Sequence, residues 1–226
     1  MPSTPVSVGE EASRWVKENW DNQLTVGAWW QRLADAGYSN PMLPPPYGRG
    51  VTQDVAGLII GELARGGALG PPGGLGLMLA APTIATHGTD KQQERFIPDI
   101  ITGRAGWCQL FSEPGAGSDL AGLRTTAVRD GDEWVINGQK VWTSTGQHAD
   151  WGILLARTDP DAPKHKGISY FLFPMHQDGV EVRPLREMTG RSLFNEVFLT
   201  DARVPDSCLL GGLNNGWAVA NTTLMF

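Results

Sequence analysis

The chain has 226 residues and a net charge of −6, with 41% hydrophobic and 19% charged residues. That is the composition of a folded globular protein with room for one large domain or two small ones, and its acidic balance without a Lys/Arg cluster excludes nucleic acid as the expected partner. Two cysteines, Cys108 and Cys208, make a poor disulfide framework, and neither a basic-then-apolar leader nor an apolar run long enough for a bilayer occurs, so the expectation is a cytoplasmic protein without membrane spans.

Residues 1–104 read as an N-terminal all-helical domain. Ser7-x-x-Glu10 has the spacing of a capping box, and Ala12, Trp15, Val16 and Trp20 follow at helical intervals. Trp29, Trp30, Leu33 and Ala36 make a second apolar stripe, ended by Gly37. Asn40 to Gly50 is a loop, because its prolines remove donors and its glycines free the backbone. Val55, Leu58, Ile59 and Leu63 form the next face, stopped by Gly66-Gly67. After Pro71-Pro72 an apolar helix runs to about His87. A helix apolar nearly all round belongs in a core or along a ligand channel. Thr89-x-x-Gln92 then caps a helix with Phe96, Ile97, Ile100 and Ile101 inward and Gly103 at its end.

At Arg104 the period changes, and residues 105–212 read as a β-sandwich or barrel-like middle domain, giving an α+β chain overall. Asp130-Gly131 and Asn137-Gly138 are two-residue turn signals. They predict a meander of Leu123 to Arg129, Glu133 to Ile136 and Gln139 to Thr143. Strands at Trp151 to Arg157, Ile168 to Phe173, Val180 to Leu185 and Asn195 to Leu199 follow. From about residue 213 the pattern is helical again, with Trp217, Ala220 and Leu224 on one face. The chain stops at Phe226 inside that pattern, so residues 213–226 are expected to begin a C-terminal helical domain that is otherwise missing.

Two stretches carry chemistry. Ser112-Glu113-Pro114-Gly115-Ala116-Gly117-Ser118-Asp119 offers bare backbone N–H groups and hydroxyls, suited either to an anion or flat ring edge or simply to a turn. It fits neither GxGxxG, nor a P-loop, nor a nucleophile elbow. Glu113 and Asp119 could pair as acid and base, but carboxylates in a turn more often accept backbone N–H bonds. Trp142-Thr143-Ser144 could cover a flat heterocycle and bond its edge, or could end a strand with a core indole. The four histidines and two cysteines have no metal-ligand spacing.

Leu110 to Gly122 (LFSEPGAGSDLAG), followed by Trp134 to Ser144 (WVINGQKVWTS), resembles the acyl-CoA dehydrogenase family. Gly88-Thr89-Asp90-Lys91-Gln92 with Phe96-Ile97-Pro98 upstream, and Val197-Phe198-Leu199 with Val204-Pro205 downstream, extend the resemblance over nearly the whole chain in the family's order. The resemblance implies an N-terminal helical domain, a middle β domain and a C-terminal four-helix domain. FAD lies between the last two, usually in a homodimer or homotetramer; a heteromer is a further possibility. It implies oxidation of an acyl-CoA to the 2,3-enoyl-CoA in fatty-acid or lipid metabolism, with electrons passed to an electron-transferring flavoprotein.

Position by position, the resemblance implies flavin contacts at Leu110, Phe111 and Ser112 on the strand before the loop. Gln109 stands where the family often has an aromatic residue. Gly117 and Ser118 match the loop at the flavin, Ser118 also being the acyl-CoA contact. Trp142 matches the indole over the flavin ring, and Thr143 and Ser144 the contacts near N5. The family's carboxylate base belongs to the C-terminal domain, so no catalytic residue is assigned, and the chain by itself is expected to bind FAD weakly. Leu110 is bulkier than the family's usual residue. The loop Asp159 to Lys166 and the run Arg186 to Arg191 resemble a bacterial subset acting on varied, sometimes bulky acyl groups. The rival readings are a flavin oxidase or monooxygenase on the same scaffold, and a non-catalytic subunit of a heteromeric dehydrogenase.

Overall fold

The computed structural model describes residues 5–226, with side chains from Val8 onward. Helices come first, then a mostly antiparallel sheet, then one short helix. The chain forms two compact units: one comprises the chain up to Gly73 together with Gln93–Arg104, the other Gly74–Gln92 with Ala105–Phe226.

In the first unit, α1 (Pro5–Asn19), α2 (Val26–Asp35) and α3 (Gln53–Arg65) share one core. Ala12 and Val16 of α1, Trp29 and Leu33 of α2, Tyr38, and Ile59 and Leu63 of α3 are all buried in it. Each helix contributes residues four apart, because that spacing puts side chains on one face. Trp15 and Trp20 flank Trp29 with ring centroids 5.5 and 4.8 Å away. The Trp29 indole N–H is satisfied by donating to the Leu69 carbonyl at 2.7 Å. Thr25 caps α2, its hydroxyl accepting from the Ala28 N–H. The side chain of Ser7, in the proposed capping box, lies outside the described side chains. The expected α3 face needs one correction: Ala56 is its third inward position, and Leu58 is exposed. Ala56 lies three residues before Ile59 and seven before Leu63, on the same stripe, whereas Leu58 is only one residue from Ile59.

The apolar run after Pro72 is a π-helical turn, Gly76–Ala80, continuing into α4 (Ala81–His87). Ala80, Ala81 and Ile84 are buried, while Met78 points out. The next helix, α5 (Asp90–Ile101), starts with the expected capping box. The Thr89 N–H donates to the Gln92 carboxamide oxygen at 3.0 Å and the Gln92 N–H to the Thr89 hydroxyl at 3.3 Å. Phe96, Ile97, Ile100 and Ile101 are buried.

The second unit holds an eight-stranded sheet. Its strands are β1 (Trp107–Leu110), β2 (Thr126–Asp130), β3 (Glu133–Ser144), β4 (Trp151–Arg157), β5 (Ile168–Pro174), β6 (Val180–Leu185), β7 (Phe194–Pro205) and β8 (Leu209–Leu210). The order is β6-β7-β3-β2-β4-β5-β8, with β1 parallel to β4 beside this path. Residues 152–156 of β4 and 168–173 of β5 are buried without alternation, as expected of strands covered on both faces.

The hairpin β2–β3 closes at Asp130↔Glu133 around Gly131, which takes φ 63°. The second predicted turn, at Asn137-Gly138, does not exist. β3 runs unbroken through it, paired with β7 across a register shift between Ile136 and Gly138. The Asn137 carboxamide is held by Asp201, donating to its carboxylate at 3.0 Å and accepting its N–H at 2.9 Å. Glycine is required for a different reason: a Cβ at Gly138 would sit 2.4 Å from Thr125 Oγ1 and 2.7 Å from Thr125 Cα. The Asn-Gly pair lies opposite a bulge on β7, where Thr200 and Asp201 face Asn137 and Asp201 takes φ 51°, and Gly138 lets the residue just before β2 approach closely.

The last helix, α6 (Gly216–Thr223), lies on β5, where a Cβ at Gly216 would meet the Ser169 carbonyl carbon at 2.5 Å. Its Thr223 hydroxyl joins Thr83 at 3.0 Å and the Tyr170 hydroxyl at 3.1 Å. The helix ends one residue before Leu224, which is exposed rather than inward. Among the described residues no helical bundle follows the sheet.

Candidate functional site

The site is built on a phase change in β3. Trp134, Ile136 and Lys140 point inward at even spacing, as period 2 requires. Trp142 should be next, yet it is 63% exposed and Thr143 is buried instead. The cause is local: Trp142 takes φ 61°, and the pairing with β7 shifts register between Lys140 and Thr143. A left-handed residue inside a strand turns its side chain off the expected face, as a one-residue slip does. An aromatic residue in that region is strained, and such strain persists only where the surroundings impose it. Of the nine indoles, Trp142 alone is exposed among the described residues. Its ring and that of Phe194 stand nearly perpendicular, with centroids 6.0 Å apart.

The Gly-rich loop is tied to this strand at its base. The Val141 N–H donates to the Ser112 carbonyl at 2.9 Å. Lys140, fully buried, places Nζ 2.9 Å from Glu113 Oε1 and 3.1 Å from the Phe111 carbonyl. Glu113 also accepts the N–H groups of Arg124 at 2.6 Å and Thr125 at 2.9 Å. Glu113 thus serves as a turn carboxylate accepting backbone bonds, not as a free acid. Burial pushes its carboxyl up, but the Lys140 charge and the hydrogen bonds from residues 124 and 125 outweigh burial and hold it below the ordinary carboxylate range. Burial likewise drives Lys140 down to about 8, against the opposing pull of Glu113.

Above that base, Glu113 and Ala116 exchange both backbone hydrogen bonds at 3.0 Å, closing a tight turn over Pro114 and Gly115. Gly117, Ser118 and Asp119 then run exposed, and Asp119 pairs with Lys164. A Cβ on Gly115 or Gly117 would meet nothing within 4 Å, so the loop presents bare backbone to open space.

Each residue expected at the site has a definite place. Ser112 and Ser144 are half-buried, and Ser118 is exposed. Leu110 and Phe111 send their side chains into the core, Phe111 against the Tyr170 ring at 5.9 Å, while Leu110 pairs with Leu154 of β4 and the Phe111 carbonyl accepts from Lys140. Thr143 is buried with no partner at Oγ1, while its carbonyl accepts from Asn195 Nδ2 at 2.9 Å. Gln109 is half-buried on β1, opposite Ile153. The base of the loop brings residues 111 and 112 against 140 and 141, two positions from the exposed indole. Lys140 escaped the sequence reading, although it occupies an inward slot of an alternating strand, where a lysine must find a buried partner. A separate surface pocket of about 370 Å³ lies beyond the strand end, lined by Gly146, Gln147, Met175 and His176 among others. No cluster of histidines, cysteines and carboxylates suited to a metal occurs among the described residues, and no helix there is long and apolar enough to cross a membrane.

Residues 7–104 match the family description "Acyl-CoA dehydrogenase, N-terminal domain", and residues 108–202 match "Acyl-CoA dehydrogenase, middle domain". The chain is 57% identical over 192 residues to acyl-CoA dehydrogenase FadE34 of Mycobacterium tuberculosis, covering 85% of this chain and 27% of that protein. Among solved structures, the ChsE4-ChsE5 complex from Mycobacterium tuberculosis is similar with a TM-score of 0.75 and 33% identity, over all of this chain and 61% of that one. The Tcur3481-Tcur3483 steroid ACAD is similar with a TM-score of 0.75 and 32% identity, over 99% of this chain and 61% of that one. The chain thus spans about a quarter of the first relative and three fifths of the two structures. With both domain descriptions matched in order over residues 7–104 and 108–202, the chain belongs to the acyl-CoA dehydrogenase family.

Proposed function

We propose that the protein to which this chain belongs is an FAD-dependent acyl-CoA dehydrogenase that converts an acyl-CoA thioester to its 2,3-enoyl-CoA. The observation that carries the reading is Trp142, an exposed indole held on a strained strand kink beside a hydroxyl-bearing Gly loop. An exposed, rigid apolar face next to bare backbone and the hydroxyls of Ser112, Ser118 and Ser144 suits a planar ring with polar edges. The residues present fit FAD: Trp142 would cover the ring, Ser112, Thr143 and Ser144 with the backbone of Leu110 and Phe111 would meet its edge, and Gln109 and Gly117 would line it. When bound, FAD would accept the hydride leaving the carbon β to the thioester.

This chain's own residues then have one task, to position. Ser118 and the amides of its loop hold the acyl-CoA, and the Trp142 face limits where the flat reacting atoms lie. Positioning of this kind contributes roughly 7–11 kcal/mol in favourable cases. The proton lost from the α carbon needs a carboxylate base, and no residue of this chain is assigned that role. The similarity to a steroid ACAD supports a bulky, steroid-like acyl group as substrate. Electron transfer to an electron-transferring flavoprotein and assembly into a homo- or hetero-oligomer complete the reading, the latter supported by similarity to the ChsE4-ChsE5 complex.

The test is anaerobic addition of acyl-CoAs, straight-chain and steroid-derived, to the full-length protein. Loss of the yellow flavin absorbance without oxygen supports dehydrogenation. No bleaching with any acyl-CoA, together with turnover that requires oxygen, would favour an oxidase instead.

A further inference from the structure

We infer that Glu113 and Lys140 are a positioning pair: together they close the neck of the Gly-rich loop onto β3 and thereby set where Ser118 meets the acyl-CoA relative to Trp142. The inference rests on the proposed dehydrogenase reading and extends it to two residues without any expected contact to flavin or substrate.

The argument begins with cost. A lysine taken fully into a sheet's interior loses its hydration, and an apolar side chain of similar volume would fill the same slot without that loss. The pair's hydrogen bonds therefore indicate what it does. All of them converge on the two ends of one loop. Lys140 donates to the Phe111 carbonyl at 3.1 Å and to Glu113 at 2.9 Å. Glu113 accepts from Arg124 at 2.6 Å and Thr125 at 2.9 Å. Residues 111 and 113 enter the loop and residues 124 and 125 leave it. The pair thus pins both ends to a strand position only two residues from the exposed indole. The tip is held less closely. Ala116 is buried, but a Cβ on Gly115 or Gly117 would meet only open space, and Ser118 is exposed. The loop's further tethers are the surface pair Asp119–Lys164, with side chains 67% and 49% exposed, which holds little, and Arg157, which donates to the Ala121 carbonyl at 2.8 Å and the Leu123 carbonyl at 3.3 Å on the outgoing arm. Among these tethers the buried neck alone ties both arms of the loop to β3 through side chains. A hydrocarbon pair could fill the volume but could not bond one carbonyl and two amides at once.

The experiment uses the full-length holoenzyme and its Glu113→Asp, Glu113→Gln/Lys140→Met and Ser118→Ala forms, with flavin content, Tm, kcat and KM for acyl-CoA measured on each. Glu113→Asp keeps the charge opposite Lys140 but withdraws the carboxylate from the two amides by one methylene. The doubly substituted form removes both charges, so neither is left buried alone. The expected result is near-full flavin content with kcat/KM lowered about 10- to 100-fold, the scale of a small misplacement of substrate. Ser118→Ala is expected to cost much less in either background than in the wild type, because a loop already displaced has less contact to lose. Wild-type kcat and KM in Glu113→Asp, or losses that simply multiply with Ser118→Ala, would overturn the inference; if the double form does not fold, Glu113→Asp decides. A wild type that fails to bleach under any acyl-CoA would instead sink the dehydrogenase reading, so the two failures are separable.

Discussion

Trp142 combines a strained backbone with an exposed aromatic side chain, and neither contributes much to stability. A left-handed conformation costs a non-glycine residue about 1–2 kcal/mol, while the edge contact with Phe194 returns about 0.5–1.5 kcal/mol. Replacing Trp142 by Gly is therefore expected to change unfolding free energy by about 1 kcal/mol or less, while lowering kcat/KM of the full-length enzyme about 100-fold or more. Urea denaturation beside steady-state kinetics checks both, and a large stability loss would mark the indole as structural. Glu113 gives a pH prediction. Its folded carboxyl titrates below its unfolded value, so its contribution is complete above the ordinary range near pH ~4.3 and drains away as pH falls through the folded value. The Tm gap between wild type and Glu113→Gln should be widest near pH ~7 and narrow only as pH falls below the ordinary carboxylate range, through the lowered folded value. A gap that stays constant with pH would contradict the assignment.

Among the elements, β3 decides the most. It pairs with β2 and β7, passes the β7 bulge at Asn137-Gly138, supplies Lys140 to the loop and ends in the Trp142 kink. Gly138 is a hard constraint because Thr125, at the start of the neighbouring hairpin arm, lies so close. Gly138→Ala should destabilise by about 1–3 kcal/mol, the range for overpacking. Trimming Thr125 to Ala should not restore the loss, since its Cα already lies 2.7 Å from the added methyl. Thermal melts of the single and double forms test this, and full rescue would show that only the side chain crowds Gly138. The hydroxyl cluster of Thr83, Tyr170 and Thr223 plays the matching role for α6, joining it to α4 and β5 through bonds of 3.0 and 3.1 Å.

Across the molecule, the tryptophans divide by role. Trp29 is wholly buried among Trp15, Trp20 and Tyr38, with its N–H satisfied by Leu69. Trp29→Ala should cost about 3–5 kcal/mol by opening a cavity. Chemical denaturation followed by circular dichroism would show it as a lower midpoint, and a loss under about 1 kcal/mol would mean that the first unit's core is arranged otherwise. Trp142 is the converse case, a large apolar surface held out of every core. An exposed aromatic of this kind carries meaning only in its setting, and here the setting is a Gly loop pinned to the same strand.

The order of helices, strands and final helix follows from periodicity and punctuation, which are local and survive in the sequence. The capping box at Thr89 and Gln92 and the hairpin at Asp130-Gly131 were legible for the same reason: each is completed within a few residues. Glu113 accepting backbone N–H groups was legible as a turn carboxylate, though not which amides it would meet. Asn137-Gly138 misled because the same residues serve a turn and a strand passing a bulge in its neighbour, and only the pairing with β7 and the close approach of Thr125 distinguish them. The buried partner of Lys140 and the outward turn of Trp142 were likewise decided by tertiary structure. Both depend on pairings between residues 27 or more positions apart, Glu113 with Lys140 and β3 with β7, and no local spacing encodes such a pairing.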